Sequence, residues 1–206
     1  MIKNVLVIGA TGGIGSACCE ILKQDPKYQI QAWSSKDLDL DHPDRIFQTD
    51  LSGYDILINC AAHNQGTFLG FLQNPWQNQL SQVMVNYVSN LFLLKHYASS
   101  RKQGQYVWCS TDMTIGVTPY KSVYLSTKVG SQFAMDLAKQ EIKHVSILEA
   151  QFKSVRTNLR FRNFQGTLTQ EQVDATYNDT EFLRAEYVAC KIIEAMENNL
   201  EKVLIQ

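Results

Sequence analysis

Short unbroken apolar runs alternate along the chain with longer stretches in which apolar positions recur every three or four residues. Asn4-Val5-Leu6-Val7-Ile8 is such a run, and its length and β-branched content predict a strand buried on both faces. Ala17, Cys18, Ile21 and Leu22 follow at helical spacing. Tyr28 to Trp33, Tyr54 to Cys60, Gln105 to Ser110, Val145 to Ala150 and Val203 to Ile205 read as further strands. Helical spacing returns from Gln79 to about Arg101, over residues 121–141, and from Ala185 to Asn198, while His42-Pro43 starts a short helix. Only four residues separate Trp33 from Leu38-Asp39-Leu40. Parallel neighbours need a crossover of about a dozen residues or more, so Leu38 to Leu40 is a loop or a short edge piece. The pattern predicts an α/β fold: one doubly wound, mostly parallel sheet of six or seven strands with helices on both faces. A single domain spans residues 1–206. Within it, residues 151–180 have weak periodicity and carry Phe161, Phe164 and Tyr177, as expected of a lid over a site.

The first strand runs directly into Gly9-Ala10-Thr11-Gly12-Gly13-Ile14-Gly15, and a helix follows. Glycines there let the backbone turn tightly and approach a pyrophosphate, whose charge the free N–H groups and the positive end of the helix stabilise. Strand, glycine turn and helix in that order make a dinucleotide-binding unit of the Rossmann type, with Gly9, Thr11, Gly12, Gly13, Ile14 and Gly15 at the cofactor. The second strand ends in Ser34-Ser35-Lys36 instead of the acidic residue that bonds the ribose of NAD. Two hydroxyls and an ammonium suit a 2′-phosphate, so NADP(H) is expected over NAD(H). An ordinary polar loop is the other reading of this segment, and Asp37 opposes the phosphate if the loop turns differently. Asp39 is placed to meet an adenine amino group. Asn59-Cys60-Ala61-Ala62 offers small residues where the backbone can pass beside a cofactor ribose.

Tyr124 and Lys128 lie four apart, one helical turn above each other on one face. An ammonium beside a phenol favours the phenolate and is expected to draw the tyrosine towards neutrality, where it can exchange a proton with a carbonyl oxygen. Thr111 stands thirteen residues upstream of Tyr124, at the end of a strand. Asn86 interrupts the apolar stripe of the long helix, where it holds a water or a backbone carbonyl near the lysine, or else faces solvent. The loop from His63 to Trp76 carries Phe68 and Phe71. These aromatics line a substrate pocket or, more simply, at least two of the loop's aromatics pack beneath it. Met113, Tyr120, Phe161 and Phe164 point in the same way to an apolar or aromatic-lined site, or to core.

Composition narrows the partners. Net charge is −1 and the 19 basic residues are dispersed, which leaves no electrostatic footprint for nucleic acid or anionic lipid and favours a small-molecule ligand. No run approaches 18 apolar residues and no signal-peptide pattern opens the chain, so no membrane association and a cytoplasmic location are expected. Five cysteines (Cys18, Cys19, Cys60, Cys109, Cys190) lack the spacing of a zinc or redox motif and read as buried, reduced thiols, with no metal site.

Taken in order and spacing, these segments resemble the short-chain dehydrogenase/reductase superfamily over nearly the whole chain. Gly9, Gly13 and Gly15 match its cofactor turn, Asn59-Cys60-Ala61-Ala62 its Asn-Asn-Ala-Gly segment, and Asn86, Thr111, Tyr124 and Lys128 its catalytic tetrad. Ser110-Thr111-Asp112 and the early Leu38-Asp39-Leu40 are similar to the dTDP-4-dehydrorhamnose reductase branch. The chain lacks that branch's larger carboxyl-terminal region, so a nucleotide-sugar substrate is not carried over. Phe152-Lys153 replaces the usual Pro-Gly, and Val155-Arg156-Thr157 fits the segment whose threonine meets the nicotinamide carboxamide. The resemblance implies an NADPH-dependent reductase or dehydrogenase acting on a small carbonyl or alcohol. Tyr124 would be its acid/base, Thr111 would orient the carbonyl, Lys128 would hold the ribose and Asn86 a water. It also implies a homodimer or homotetramer assembled through the helices at 79–101 and 121–141. An epimerase or dehydratase with retained cofactor, or a dinucleotide binder without turnover, are the alternatives.

Overall fold

The computed structural model of the 206-residue chain describes residues 1–66, 69–112, 121–157, 159, 169, 171 and 182–206. Phe68, Met113, Tyr120, Phe161, Phe164, Tyr177 and most of the expected lid lie outside the described residues. Six strands form one all-parallel sheet: β1 (Lys3–Ile8), β2 (Tyr28–Trp33), β3 (Ile56–Asn59), β4 (Gly104–Cys109), β5 (Val145–Phe152) and β6 (Lys202–Ile205), in the spatial order β2-β1-β3-β4-β5-β6. Of the six or seven strands expected, the sheet uses six. Leu38 to Leu40 adds no strand; Leu38 and Leu40 bury their side chains under the sheet's edge, and a 3-10 turn at Pro43–Gln48 covers the return to β3.

The central strands are hydrocarbon on both faces because helices cover both. Val5, Val7, Ile56, Ile58, Val107 and Leu148 face α1 (Gly13–Lys23) and α5 (Ala185–Glu197). Leu6, Ile8, Leu57, Tyr106, Trp108 and Ile147 face the other layer, which holds α2 (Trp76–Val83), α3 (Ser89–Ser99) and α4 (Ser122–Glu141). The expected long helix at 79–101 is divided: five residues, Met84–Val88, form a π turn between α2 and α3. Such a turn widens the helix by one residue and re-aims its side chains, here around buried Asn86.

β1 pairs with β2 on one side and β3 on the other, so the strand order reverses at the gap between β1 and β3. Ligands bind outside the carboxyl ends of the strands at such a point. β5 runs two residues beyond the expected Ala150, to Phe152, whose carbonyl accepts the Asp112 N–H at 2.9 Å. Beyond β5, Val155 and Leu183 form an isolated parallel bridge, with Arg156 N donating to Leu183 O at 3.0 Å and Leu183 N to Ser154 O at 3.1 Å.

Candidate active site

The glycine turn lies at the switch point, and its glycines are sterically required. Gly9 has φ +75°, and a Cβ there would lie 2.7 Å from Ala61 N, so the Asn59–Ala62 segment passes directly against the turn. A Cβ on Gly15 would stand 2.3 Å from Gly9 O, and one on Gly13 would stand 2.5 Å from Thr157 Cγ2. Thr157, which follows β5, thus packs on the turn. Gly12 N donates back to Gly9 O at 3.0 Å, and the first helical bond is Ser16 N to Gly12 O at 2.8 Å. The N–H groups of Gly13, Ile14 and Gly15 therefore have no carbonyl within the helix to take them. No side chain caps α1 and its first turn holds no acid. Ile14, Cys60 and Val155 pack against the buried cluster of Ala17, Cys18, Ala185 and Ala189 beneath, while Thr11 and Gly12 are exposed at the tip. A glycine cradle backed by free helix donors fits a dinucleotide pyrophosphate.

At the end of β2 the picture changes. Asp37 Oδ2 accepts both the N–H and the hydroxyl of Ser34, each at 2.8 Å, and these bonds hold the Asp37 carboxyl below the usual range. Ser34 Oγ in turn accepts Lys36 N at 3.2 Å. The Ser34 donors are thus occupied, and Ser35, Lys36 and the Asp37 carboxylate are the exposed groups of this turn. Asp39 is engaged too, its Oδ1 accepting Asp41 N at 3.1 Å.

α4 delivers Tyr124 and Lys128 to the carboxyl ends of β3 and β4. Lys128 is 2% exposed. Its Nζ donates to the Cys109 carbonyl at 3.1 Å and sits 6.0 Å from the Tyr124 ring centroid and 5.8 Å from that of Trp108. Burial lowers its pKa from the ordinary 10.5 to about 8. Tyr124 moves opposite to expectation: burial, with a smaller contribution from Cys109, pushes its phenol up to about 12. The phenol is half-buried by its accessible surface, and the loss of water around the phenolate sets the direction of the shift. Thr111 follows two residues after Cys109, half-buried at the end of β4.

Asn86 is buried, but its side chain holds backbone. Oδ1 accepts His63 N at 2.8 Å and Nδ2 donates to His63 O at 2.7 Å, a two-point clamp on the segment after Ala62. Its main-chain carbonyl accepts the hydroxyl of Ser131, which is fully buried on α4 three residues after Lys128. Asn59 and Asn90 form a second amide pair below, Nδ2 to Oδ1 at 3.0 Å, and the Tyr106 hydroxyl also donates to Asn90 Oδ1 at 2.8 Å. Ser131 went unmarked in the sequence, although a hydroxyl one turn from Lys128 on the same face was a readable signal.

A shallow cleft beside Tyr124 is lined by Gly70, Phe71, Asn74, Gln82 and Val123. Gln79 Nε2 ties this loop down by donating to Phe71 O and Asn74 O, both at 2.9 Å, and Gln82 Nε2 donates to Gln65 O at 3.0 Å. Amide side chains thus share the cleft with Phe71, Val123 and Tyr124. Of the two readings of the loop's aromatics, packing beneath it fails for Phe71 and Trp76, which are 62% and 67% exposed, while Phe71 lines the cleft. A larger concavity of about 260 Å³ between α5 and β6 is remote from this chemistry, and the Lys191 and Glu194 that line it pair with each other at 2.7 Å. Of the five free cysteines, Cys190 is exposed, unlike the others; Cys109 and Cys60 meet at 3.6 Å beneath the site. Among the described residues no cluster could hold a metal ion, and no helix is long and apolar enough to cross a membrane.

Sheet order and the strand–glycine turn–helix unit at the switch point define an α/β protein of the doubly wound, Rossmann-like class. The sequence matches the model of the NAD dependent epimerase/dehydratase family over residues 5–183, and the chain belongs to that family. No curated protein matches it in sequence. Among solved structures, it is similar to a small-chain dehydrogenase in complex with NADPH (16% identity, TM-score 0.84, covering 100% of this chain and 97% of the other). It is also similar to a short-chain dehydrogenase from Sphingobium yanoikuyae in complex with NADPH (16%, 0.77, 98% and 87%). A third is a short chain dehydrogenase from Burkholderia cenocepacia in complex with NADP (13%, 0.80, 100% and 88%). At these identities the likeness establishes the fold.

Proposed function

We propose that the protein is an NADPH-dependent reductase of small carbonyl compounds, reversible in principle as an alcohol dehydrogenase. The observation that carries this reading is the placement of Tyr124 and Lys128, with Lys128 Nζ anchored on Cys109 O, at the strand ends next to the glycine cradle. When bound, the dihydronicotinamide supplies hydride to the carbonyl carbon. Tyr124, kept protonated by burial, donates its proton to the carbonyl oxygen, and Thr111 orients that oxygen by a hydrogen bond. Lys128 supplies positive charge beneath the phenol, stabilising the phenolate as it forms, and reaches the nicotinamide ribose. Gly9, Thr11, Gly12, Gly13, Ile14 and Gly15 hold the pyrophosphate, Asn59 to Ala62 flank the ribose and Thr157 meets the carboxamide. Asn86 keeps the His63 segment in place and, through its carbonyl, links α4 to the π turn. Ser35 and Lys36 take the 2′-phosphate; the NADP-bound structural relatives support that choice, and Asp37 weakens it. The segment within residues 151–180 acts as the lid of this single domain.

The protein is also proposed to work as a homodimer. Val129, Phe133 and Leu137 form an exposed apolar stripe along α4, 53%, 68% and 52% exposed, and exposed Trp76 and Leu80 lie on neighbouring α2.

The family model favours one rival, an epimerase or dehydratase that retains its cofactor. Titration calorimetry of nucleotide-free protein with NADPH and NADH, followed by a carbonyl screen with the preferred cofactor, tests both. Exchangeable NADPH consumed in proportion to alcohol formed supports the reductase. A copurifying nucleotide that never exchanges supports the rival.

A further inference from the structure

Two thiols meet where the sheet ends beneath the glycine turn. Asn59 of β3 and Trp108 of β4 are register partners, so the next pair along is Cys60 and Cys109. Adjacent strands hold such a pair about 4.8 Å apart, inside the Cα span of about 4.4–6.8 Å that a disulfide bridges. Both side chains fall on the sheet face that packs under α1 and α5. The Cys109 thiol is aimed at its neighbour, Sγ donating to Cys60 Sγ at 3.6 Å. Closing that contact to a bond of about 2.05 Å asks each sulfur to move by about 0.8 Å. Cys18 of α1, fully buried, is the third thiol of the group and hydrogen-bonds Cys60 from the helix side. The three do not form a metal site, since among the described residues no cluster could hold a metal ion.

Cys60 is the thiol open to a small reagent: it is half-buried, whereas Cys109 is 5% exposed. Hydrogen bonds to the Cys109 and Cys18 thiols, together with burial, hold Cys60 well above the ordinary thiol range, so thiolate is scarce and the first step is slow. In that step the Cys60 sulfur, as thiolate, attacks one oxygen of hydrogen peroxide; the O–O bond breaks, and the second oxygen leaves as hydroxide and takes up the thiol proton to become water. The sulfenic acid left on Cys60 then has a partner already in contact. The Cys109 sulfur attacks the Cys60 sulfur, the S–S bond forms as the S–O bond breaks, and the departing oxygen takes the Cys109 proton and leaves as a second water. Two electrons pass from the two sulfurs to one peroxide. Both ends of the new bond belong to the site. The Cys109 carbonyl seats Lys128 Nζ, and the residue after Cys60 supplies the Ala61 N that stands 2.7 Å from where a Gly9 Cβ would lie.

We propose that Cys60 and Cys109 form a modification site, at which a hydroperoxide joins them in a reversible intrachain disulfide that loosens the dinucleotide cradle. The effect on the cradle rests on the reductase reading, but the bond itself is measured without turnover. The experiment exposes the full chain carrying Cys190→Ser, which removes the exposed thiol that could link two copies, to a stepped excess of hydrogen peroxide. Thiols left free are alkylated in denaturant, and the unreduced digest is read by mass spectrometry. The expected product is a Cys60 peptide joined to a Cys109 peptide, released by dithiothreitol. In Cys109→Ala the reaction should stop one step earlier, at a Cys60 sulfenic acid that dimedone traps; should that variant fail to fold, the linked peptide in the Cys190→Ser chain decides by itself. NADPH affinity, measured by calorimetry, should fall several-fold on oxidation and return on reduction. Cys60 and Cys109 recovered as separate peptides, or Cys60 joined to Cys18, overturns the proposal. So does a Cys60–Cys109 bond in a protein that binds NADPH equally well in both states. A bond that forms in a protein binding no dinucleotide before or after oxidation leaves the modification site standing and removes only the reductase reading.

Discussion

Lys128 Nζ reaches across from α4 to the last carbonyl of β4, donating to Cys109 O at 3.1 Å, and this bond ties the helix that carries Tyr124 to the strand that leads into Thr111. Catalysis by proton transfer demands that spacing. Tyr124→Phe removes the transferred proton and little else. Turnover is expected to fall by roughly 10²–10⁴-fold or more while NADPH affinity stays within a few-fold. Steady-state kinetics alongside calorimetry check this, and near-normal activity would sink the assignment.

Burial of Lys128 has two consequences for pH. Activity that needs the ammonium should fall off above about pH 8, where the folded protein loses that charge. Stability moves the other way. Lys128 titrates at about 8 when folded and nearer 10.5 when unfolded, so between these values the unfolded chain holds more protons and the contribution of this site rises with pH. Below pH 8 the buried charge costs up to about 3 kcal/mol. Melting temperatures of Lys128→Met should be higher than wild type at pH 7, with the gap narrowing from pH 8 to 10. A constant gap would contradict the burial argument.

The contact between the glycine turn and Thr157 is a matter of volume. Gly13→Ala places a methyl against Thr157 Cγ2, a flexible side-chain atom, and should cost dinucleotide affinity about tenfold. Thr157→Ser removes that methyl, so the double variant should recover most of the loss. Gly15→Ala meets backbone at Gly9 O and should bind no dinucleotide in either background. Fluorescence titration of NADPH across the four variants distinguishes these outcomes.

Asp37 holds two donors that a 2′-phosphate could use. Asp37→Asn should therefore tighten NADPH several-fold and leave NADH nearly unchanged, and Lys36→Glu should reverse the preference between the two. Calorimetric titration with each cofactor gives the ratio directly. If Asp37→Asn tightens NADH alone, the ribose end of the site is misassigned.

Phe133, 68% exposed at the middle of the α4 stripe, is the residue to charge. In the proposed dimer a glutamate there would be buried without a partner, so Phe133→Glu should be monomeric at micromolar concentration by sedimentation while keeping its fold by circular dichroism. A wild-type protein that sediments as a monomer would remove the dimer proposal.

The parts of the fold that were legible in sequence share one physical cause. β1, β3 and β4 are covered on both faces, so their hydrocarbon runs are unbroken, and Gly9, Gly13 and Gly15 sit where a Cβ has no room. The spacing of Tyr124 and Lys128 is local and survived intact. What depends on distant packing was not readable. The π turn at Met84–Val88 has no local signature; it goes with Asn86 clamping a segment 23 residues away. Residue identity suggested that Phe71 and Trp76 would be buried, but amide bonds from Gln79 and Gln82 already secure their loop. The direction of the Tyr124 shift depended on how much water the phenol loses, which sequence spacing does not encode.

The bridge between Val155 and Leu183 has an evolutionary corollary. Chain leaves the sheet at residue 156 and returns at 183 through adjacent, hydrogen-bonded points, so the closure cost of whatever lies between is met at its base and grows only slowly with length. The intervening stretch is therefore a cassette. Beyond Thr157, which packs on Gly13, one sequence can be exchanged there for another, longer or shorter, without disturbing β5, α5 or the glycine cradle.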